Sequence, residues 1–302
     1  MAVERLLELA RRRSIAAEVF LEESEARPVQ FENNRLKCVH TNRQRAASLR
    51  VIADGRLGFA STTDLSQPER LLEQALESAR FGQEATFPFP PAAPFPAVAV
   101  HDPAVAAFPV ERGIELGRDA IAALLDAVPD AVCGLDIRKW VGRSRLANTA
   151  GLDVEHDSTG FDCSFEILRV RDEGLLWVSE SESSRALGHP FNRMVPRIIT
   201  SIRQAETEAE APDGPCPVLF TAKAMGLLLE ILLTAVNGKL VQKGASALCG
   251  RLGDEVLDPR LTLVDDATRP FGDGSAPHDG EGIPSRSTPL FERGVLRHFL
   301  YD

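Results

Sequence analysis

The groups able to hold a metal or attack a substrate are six histidines, five cysteines and scattered carboxylates. The histidines are His40, His101, His156, His189, His278 and His298. No two of them share a helical face, and each reads as a surface or turn residue rather than a ligand. His101-Asp102 sits in a proline-rich stretch, which is a poor scaffold for a metal pair. GxSxG, GxxxxGK[ST] and GxGxxG are all absent, so hydrolase-elbow, P-loop and dinucleotide readings have no support. Cys38, Cys133, Cys163, Cys216 and Cys249 are odd in number and lack a CxxC, the pattern of reduced, mostly buried thiols in a cytosolic protein.

Two further places could carry chemistry. Asp265, Asp266, Asp273, Asp279 and Glu281 form an acidic, glycine-rich loop with the oxygen donors that Ca²⁺ or Mg²⁺ takes. Their spacing is not that of an EF-hand, and turn residues that bind their own backbone account for them more simply. The run from Lys223 to Val236 reads as an apolar helix with one carboxylate, Glu230, among Leu227, Leu228, Leu229, Ile231, Leu232 and Leu233. A lone carboxylate there lies either at an exposed edge or buried with a partner, and the residues alone favour the edge.

The surrounding pattern is α+β: N-terminal units of helix and β-meander, then the start of a mostly β C-terminal domain. Val3 to Arg13 is a helix with Leu6, Leu7 and Ala10 as its apolar stripe. Ala17 to Glu22 and Val29 to Val39 alternate as short strands, the second turning at Asn33-Asn34. Ala46 to Ala53 and Arg56 to Ser61 form a hairpin about Asp54-Gly55. A helix capped by Asp64 or Ser66 follows and buries Leu71, Leu72, Ala75, Leu76 and Ala79, closing a first domain over 1–85. Residues 86–109 are proline-rich and predict an extended linker without regular helix.

A second α–β–α unit spans 110–210. It has helices at Val110 to Ala127 and from Pro190, and strands at Ala131 to Trp140, Ser144 to Thr149, Phe161 to Arg171 and Leu175 to Ser181. The Asp172 to Gly174 stretch punctuates the last two strands. The C-terminal segment, 215–302, adds the apolar helix, a short strand, the acidic loop and a hairpin of Pro289 to Glu292 with Val295 to Tyr301.

A net charge of −10 argues against nucleic acid or an anionic membrane as partner. The basic residues between Arg43 and Arg56 fall at outward strand positions and read as a solvated face. No apolar run is long enough to span a bilayer, and the charged N-terminus has no signal-peptide core.

Lys243 to Asp302 (KGASALCGRLGDEVLDPRLTLVDD through PLFERGVLRHFLYD) resembles the core of the TldD/PmbA family, also called TldD/TldE or modulator of DNA gyrase. AEVFLEE and RAASLRVIADGRLGFASTTDLS (Arg45 to Ser66) resemble the family's first domain, and the middle unit matches in layout. The resemblance implies a cytoplasmic, two-subunit metallopeptidase system. TldD-type chains carry a zinc helix H-E-x-x-x-H, and PmbA/TldE-type chains do not. In such a site the imidazoles hold the metal and the Glu activates its water.

That motif falls on Leu229-Glu230-Ile231-Leu232-Leu233-Thr234, so Glu230 aligns with the catalytic Glu while Leu229 and Thr234 replace the histidine ligands. The resemblance therefore implies a non-catalytic PmbA/TldE-like chain with no zinc of its own. Its expected associates are a zinc-bearing TldD-like subunit or a second copy, and an extended peptide substrate. It also implies a chain lacking the family's C-terminal third, and hence an unpaired sheet edge after the last strand. Two alternatives stand beside it: a divergent homo-oligomeric metallopeptidase using Glu230 and the acidic loop, and an interaction-only or non-functional fragment.

Overall fold

The structure is a computed structural model and describes residues 2–171, 174–207 and 209–301. It divides into two compact units: Met1–Thr207 with Arg269–Ser285, and Glu208–Thr268 with Arg286–Asp302.

The first unit is built on one antiparallel sheet. Its elements are α1 (Ala2–Arg12), β1 (Ala16–Glu32), β2 (Arg35–Val39), β3 (Asn42–Ala53), β4 (Arg56–Thr62), α2 (Pro68–Ala79), α3 (Pro103–Ala107), α4 (Val110–Ala127), β5 (Val132–Asn148), β6 (Asp153–Arg171), β7 (Gly174–Ser184) and α5 (Phe191–Ala205). The strand order is β4-β3-β1-β5-β6-β7, with β2 also paired to β1. Tight turns join the first four strands. Asn33 and Asn34, and Asp54 and Gly55, have φ of 51°, 67°, 51° and 72°, the left-handed pairs that asparagine, aspartate and glycine tolerate best.

Strand alternation splits β1 between two faces. Odd positions meet the helices: Ala17 and Val19 lie in the core with α1 and α2, and Val29 and Phe31 lie in the core with α4 and α5. Phe31 packs so closely on α4 that a Cβ at Gly117 would lie 2.3 Å from its ring. Even positions form the opposite, polar face.

Several expectations change here. Ala17 to Glu22 and the first part of the Val29 to Val39 stretch merge into the 17-residue β1, the rest of that stretch turning back at Asn33-Asn34 as β2, and the two strands foreseen between Ala131 and Thr149 merge into the 17-residue β5. Both strands stay hydrogen-bonded through their charged middles, as in the pairs Glu23↔Arg143 and Glu25↔Val141. Apolar alternation pauses there because this stretch lines an open charged groove with Arg43, Arg45 and Asp157. Since β1 pairs with both β3 and β5, residues 1–85 and 110–210 contribute their strands to one continuous sheet.

The 86–109 stretch also departs from an extended linker. It contains α3, where Pro103 opens the helix at a position needing no N–H, and the Asp102 side chain accepts from Ala104 N at 2.9 Å. Phe89, Val100, Val105 and Phe108 are buried. Gln67, not Asp64 or Ser66, occupies the cap position of α2, and the Asp64 carboxylate instead binds Ser66 and Gln67 within the preceding turn. Of the Asp172 to Gly174 turn, Asp172 and Glu173 lie outside the described residues.

The second unit holds α6 (Ala222–Ala235), α7 (Gly238–Gln242) and a small sheet, β10-β9-β8, from β8 (Leu263–Asp266), β9 (Ser287–Glu292) and β10 (Val295–Leu296). Val236, Leu248, Leu290, Phe291 and Leu296 form its core. The last strand is shorter than the alternation of Val295 to Tyr301 suggests. Past Leu296 the chain turns to α7, where Leu300 N donates to Val236 O at 2.9 Å and Gly238 N donates to Leu300 O at 2.6 Å.

Candidate functional site

The residues that the family resemblance singles out lie on α6. Thr221 caps this helix, its hydroxyl accepting from Ala224 N at 3.3 Å. At the far end Ser246 donates to Ala235 O at 2.6 Å, and Val236 anchors the exit in the core. None of the residues within α6 is fully buried: Leu227 is 70% exposed and Ile231 66%. Glu230 is exposed, as the edge reading expects. The Thr234 hydroxyl donates to Glu230 O at 2.9 Å, which folds that side chain back on its own helix.

Tested against a tetrahedral zinc site, these residues do not fit. Leu229 has no donor atom, Thr234 offers one neutral hydroxyl, and Glu230 is a single carboxylate where such sites use three or four ligands.

The acidic loop is divided between the units. Asp265 and Asp266 belong to the second, and Asp273, Asp279 and Glu281 to the first. Asp266 accepts from Thr268 N at 3.0 Å, and Asp279 accepts from Glu281 N and Ile283 N at 2.9 Å each, which are turn-forming bonds. Glu281 has a different use. Its carboxylate takes a 3.2 Å bond from Arg50.

That contact belongs to a polar cluster on the even face of the first unit's sheet, and residue-by-residue reading misses most of it. Glu18 is 2% exposed and paired to Arg50, whose Nε donates at 2.9 Å. Burial pushes the Glu18 carboxyl pKa up, against the pull of Arg50 and Asn148, and among the described residues its Oε2 has no hydrogen-bond partner. Arg50 is thus half-buried within this cluster, not part of a solvated face.

Next along the same face, His156 meets His278 edge to face, with ring centroids 5.3 Å apart. His278 is buried, in contrast to its expected surface position, and its Nδ1 lies 2.7 Å from Asp279 O. A carbonyl can only accept, so Nδ1 carries the proton, and the buried Nε2 has no hydrogen-bond partner among the described residues. Burial first, then His278 and Arg185, lowers the His156 pKa.

Beside this pair, Trp140 lies flat across β6 at Gly160, where a Cβ would sit 2.0 Å from the indole nitrogen. The Arg185 guanidinium stands over the Trp140 ring at 5.3 Å. The sequence signal for this arrangement is Gly160 itself, since glycine inside a strand marks a close approach.

The thiols follow expectation in part. Cys133 and Cys163 are buried, which pushes Cys133 up to about 11 and Cys163 higher, while Cys216 is exposed. Among the described residues, no three His, Cys, Asp or Glu side chains cluster as a metal site. No helix among them is long and apolar enough to cross a membrane.

Comparison with known proteins agrees with this architecture. Residues 17–79 match the PmbA/TldA metallopeptidase domain 1, and residues 213–302 match the PmbA/TldA metallopeptidase C-terminal domain. The chain is 24% identical to the metalloprotease PmbA of Escherichia coli O157:H7 over 99% of its own length and 68% of that protein's. Against a metalloprotease TldD homolog of Haemophilus influenzae it is 34% identical over 34% of this chain and 22% of that one.

Among solved structures, TldE from Thermococcus kodakarensis aligns with all of this chain at a TM-score of 0.88 and 20% identity. A putative modulator of a DNA gyrase from Thermotoga maritima aligns at 0.86 and 23%. The chain spans 70% of each of these two structures. With both of its terminal segments matched by models of one family and the fold shared throughout, the chain belongs to the PmbA/TldD metallopeptidase family.

Proposed function

We propose that this chain is a PmbA/TldE-like, non-catalytic subunit of a PmbA/TldD-type peptidase system in the cytoplasm. A TldD-like chain supplies the zinc and the hydrolysis in this arrangement. The observation that carries the reading is α6, where Leu229 and Thr234 stand at the two positions that would have to be imidazoles. A peptidase zinc needs such ligands to hold the metal while its bound water loses a proton, and a leucine supplies nothing in their place.

The subunit's own contribution is to bind substrate. β7 is the end strand of the sheet and is hydrogen-bonded to β6, and an end strand of this kind can take an extended peptide by β-addition. The test is peptide hydrolysis by the purified chain, alone and mixed with a TldD-type chain from the same source. The reading requires an inactive chain that raises the partner's activity. Zinc-dependent hydrolysis by this chain alone, abolished by Glu230→Gln, would establish the homo-oligomeric enzyme instead.

A further inference from the structure

The even face of the first unit's sheet opens into a pocket of about 440 Å³, in the size range of small-ligand sites. Its lining contains three arginines, Arg138, Arg143 and Arg185, and one carboxylate, Glu22. Two of the three arginines are already neutralised. Arg138 is bonded to Asp162 at 2.8 Å, and Arg143 to Asp157 at 2.6 Å. Arg185 has no ion pair among the described residues, and its Nε is shut off from solvent without an acceptor.

Asp273 and Asp162 act on Arg185 without forming an ion pair with it, and its backbone is held in place. Arg185 N donates to Phe271 O at 3.4 Å, and Arg185 O accepts from the Thr159 hydroxyl at 2.8 Å. Its guanidinium rests over Trp140, whose position in turn depends on the absence of a side chain at Gly160. A desolvated guanidinium fixed on an aromatic platform is a preorganised fork for an oxyanion. His156 and Ser144, 3.4 Å apart on the adjoining wall, add a ring nitrogen and a hydroxyl that can bond a second ligand atom.

We infer that this pocket binds a carboxylate, with the Arg185 guanidinium as its counter-ion and Trp140 as the wall beside it. The planar fork matches a carboxylate's two oxygens, and the pocket has room for little more than a short acid or the last residues of a peptide. The inference is independent of the subunit role proposed above, because no residue of the pocket belongs to α6.

Trp140 and Trp177 are the only tryptophans, so W177F leaves Trp140 as a single reporter in the full chain. Its fluorescence is titrated with an N-acetylated tripeptide bearing a free C-terminus, with the same tripeptide amidated, and with succinate. A saturable response to the free acid and none to the amide is expected. A response to succinate as well assigns the site to small acids, and its absence assigns it to peptide ends. Arg185→Gln should weaken binding about tenfold or more, and Arg185→Lys should fall between, since a charge-assisted bond is lost or reshaped. Equal responses to acid and amide overturn the inference without recourse to any variant. So does an affinity unchanged in Arg185→Gln, or no saturation by any probe up to about 10 mM.

Discussion

The Thr234 hydroxyl donates to the backbone carbonyl of Glu230 at 2.9 Å, one turn back along α6. This bond ties the side chain at the second expected ligand position to its own helix, four residues after the carboxylate that would activate water. At the first ligand position Leu229 offers no donor at all. Chemistry on this helix is therefore limited by what its ligand positions hold, since Glu230 remains exposed and accessible.

The L229H/T234H double variant should restore donors at both positions while leaving Glu230 untouched. Because none of the α6 residues is fully buried, imidazoles there displace no core. Zinc affinity, read by competition with a chromogenic chelator, should rise about tenfold or more over the parent chain. Equal affinities would show that α6 is not the helix on which the family's metal site maps.

The His156–His278 pair predicts a pH dependence. Burial depresses the His156 pKa below its ordinary 6.5, so the folded state binds this proton less well than the unfolded chain. Stability from the neutral ring is then complete above about pH 6.5 and falls as pH drops through the depressed value. The groups facing His156 are His278, Arg185, Ser144 and Asp157, and only Asp157 favours the charged ring. Thermal melts between pH 7.5 and 5 should fall in midpoint, and His156→Asn should flatten that slope. A parallel slope in the variant would assign the pH dependence to other groups.

Gly160→Ala should be disproportionately disruptive for a one-methyl change in a strand. The added Cβ would sit 2.0 Å from the Trp140 indole nitrogen, so the ring must leave its place over β6 and Arg185 with it. Overpacking of this kind costs about 1–3 kcal/mol. Denaturant melts would read that loss, and Trp140 emission should shift as the ring becomes wetter. Gly151→Ala gives the contrasting case: its added Cβ would meet no atom within 4 Å, and its strain comes from φ of 103° alone.

Phe291→Ala tests how far the second unit depends on its small core. Phe291 is fully buried among Val236, Leu248, Leu290 and Leu296, and truncating such a ring costs about 3–5 kcal/mol. Amide exchange should accelerate through β9 and α7, while β5 and β6, whose cores are built from other residues, keep their protection. Uniform acceleration across the chain would contradict a second unit with a core of its own.

Local chemistry made much of this fold legible. The Asn33-Asn34 and Asp54-Gly55 turns, the stripe Leu71, Leu72 and Ala75, and the helix from Val110 to Ala127 all follow from turn preference and periodicity. The middles of β1 and β5 were not legible, because Glu23, Glu25 and Arg143 line an open groove and break the apolar rhythm while the backbone ladder continues. The polar cluster is hidden for another reason. Glu18 and Arg50 are 32 positions apart and Glu281 lies 231 beyond Arg50, so sheet register and the return of residues 269–285 bring them together. Alternation places Glu18 and Arg50 on the outward face and cannot indicate that a later segment covers it.

With Leu229 and Thr234 at the ligand positions, this chain should carry no catalytic zinc of its own. The most direct test is elemental analysis of zinc in the full chain, purified alone and dialysed under mild conditions. Far less than one equivalent per chain is expected, with Glu230→Gln making no difference. Close to one zinc per chain, lost on Glu230→Gln, would contradict it and make α6 a metal site built from ligands other than those its sequence supplies.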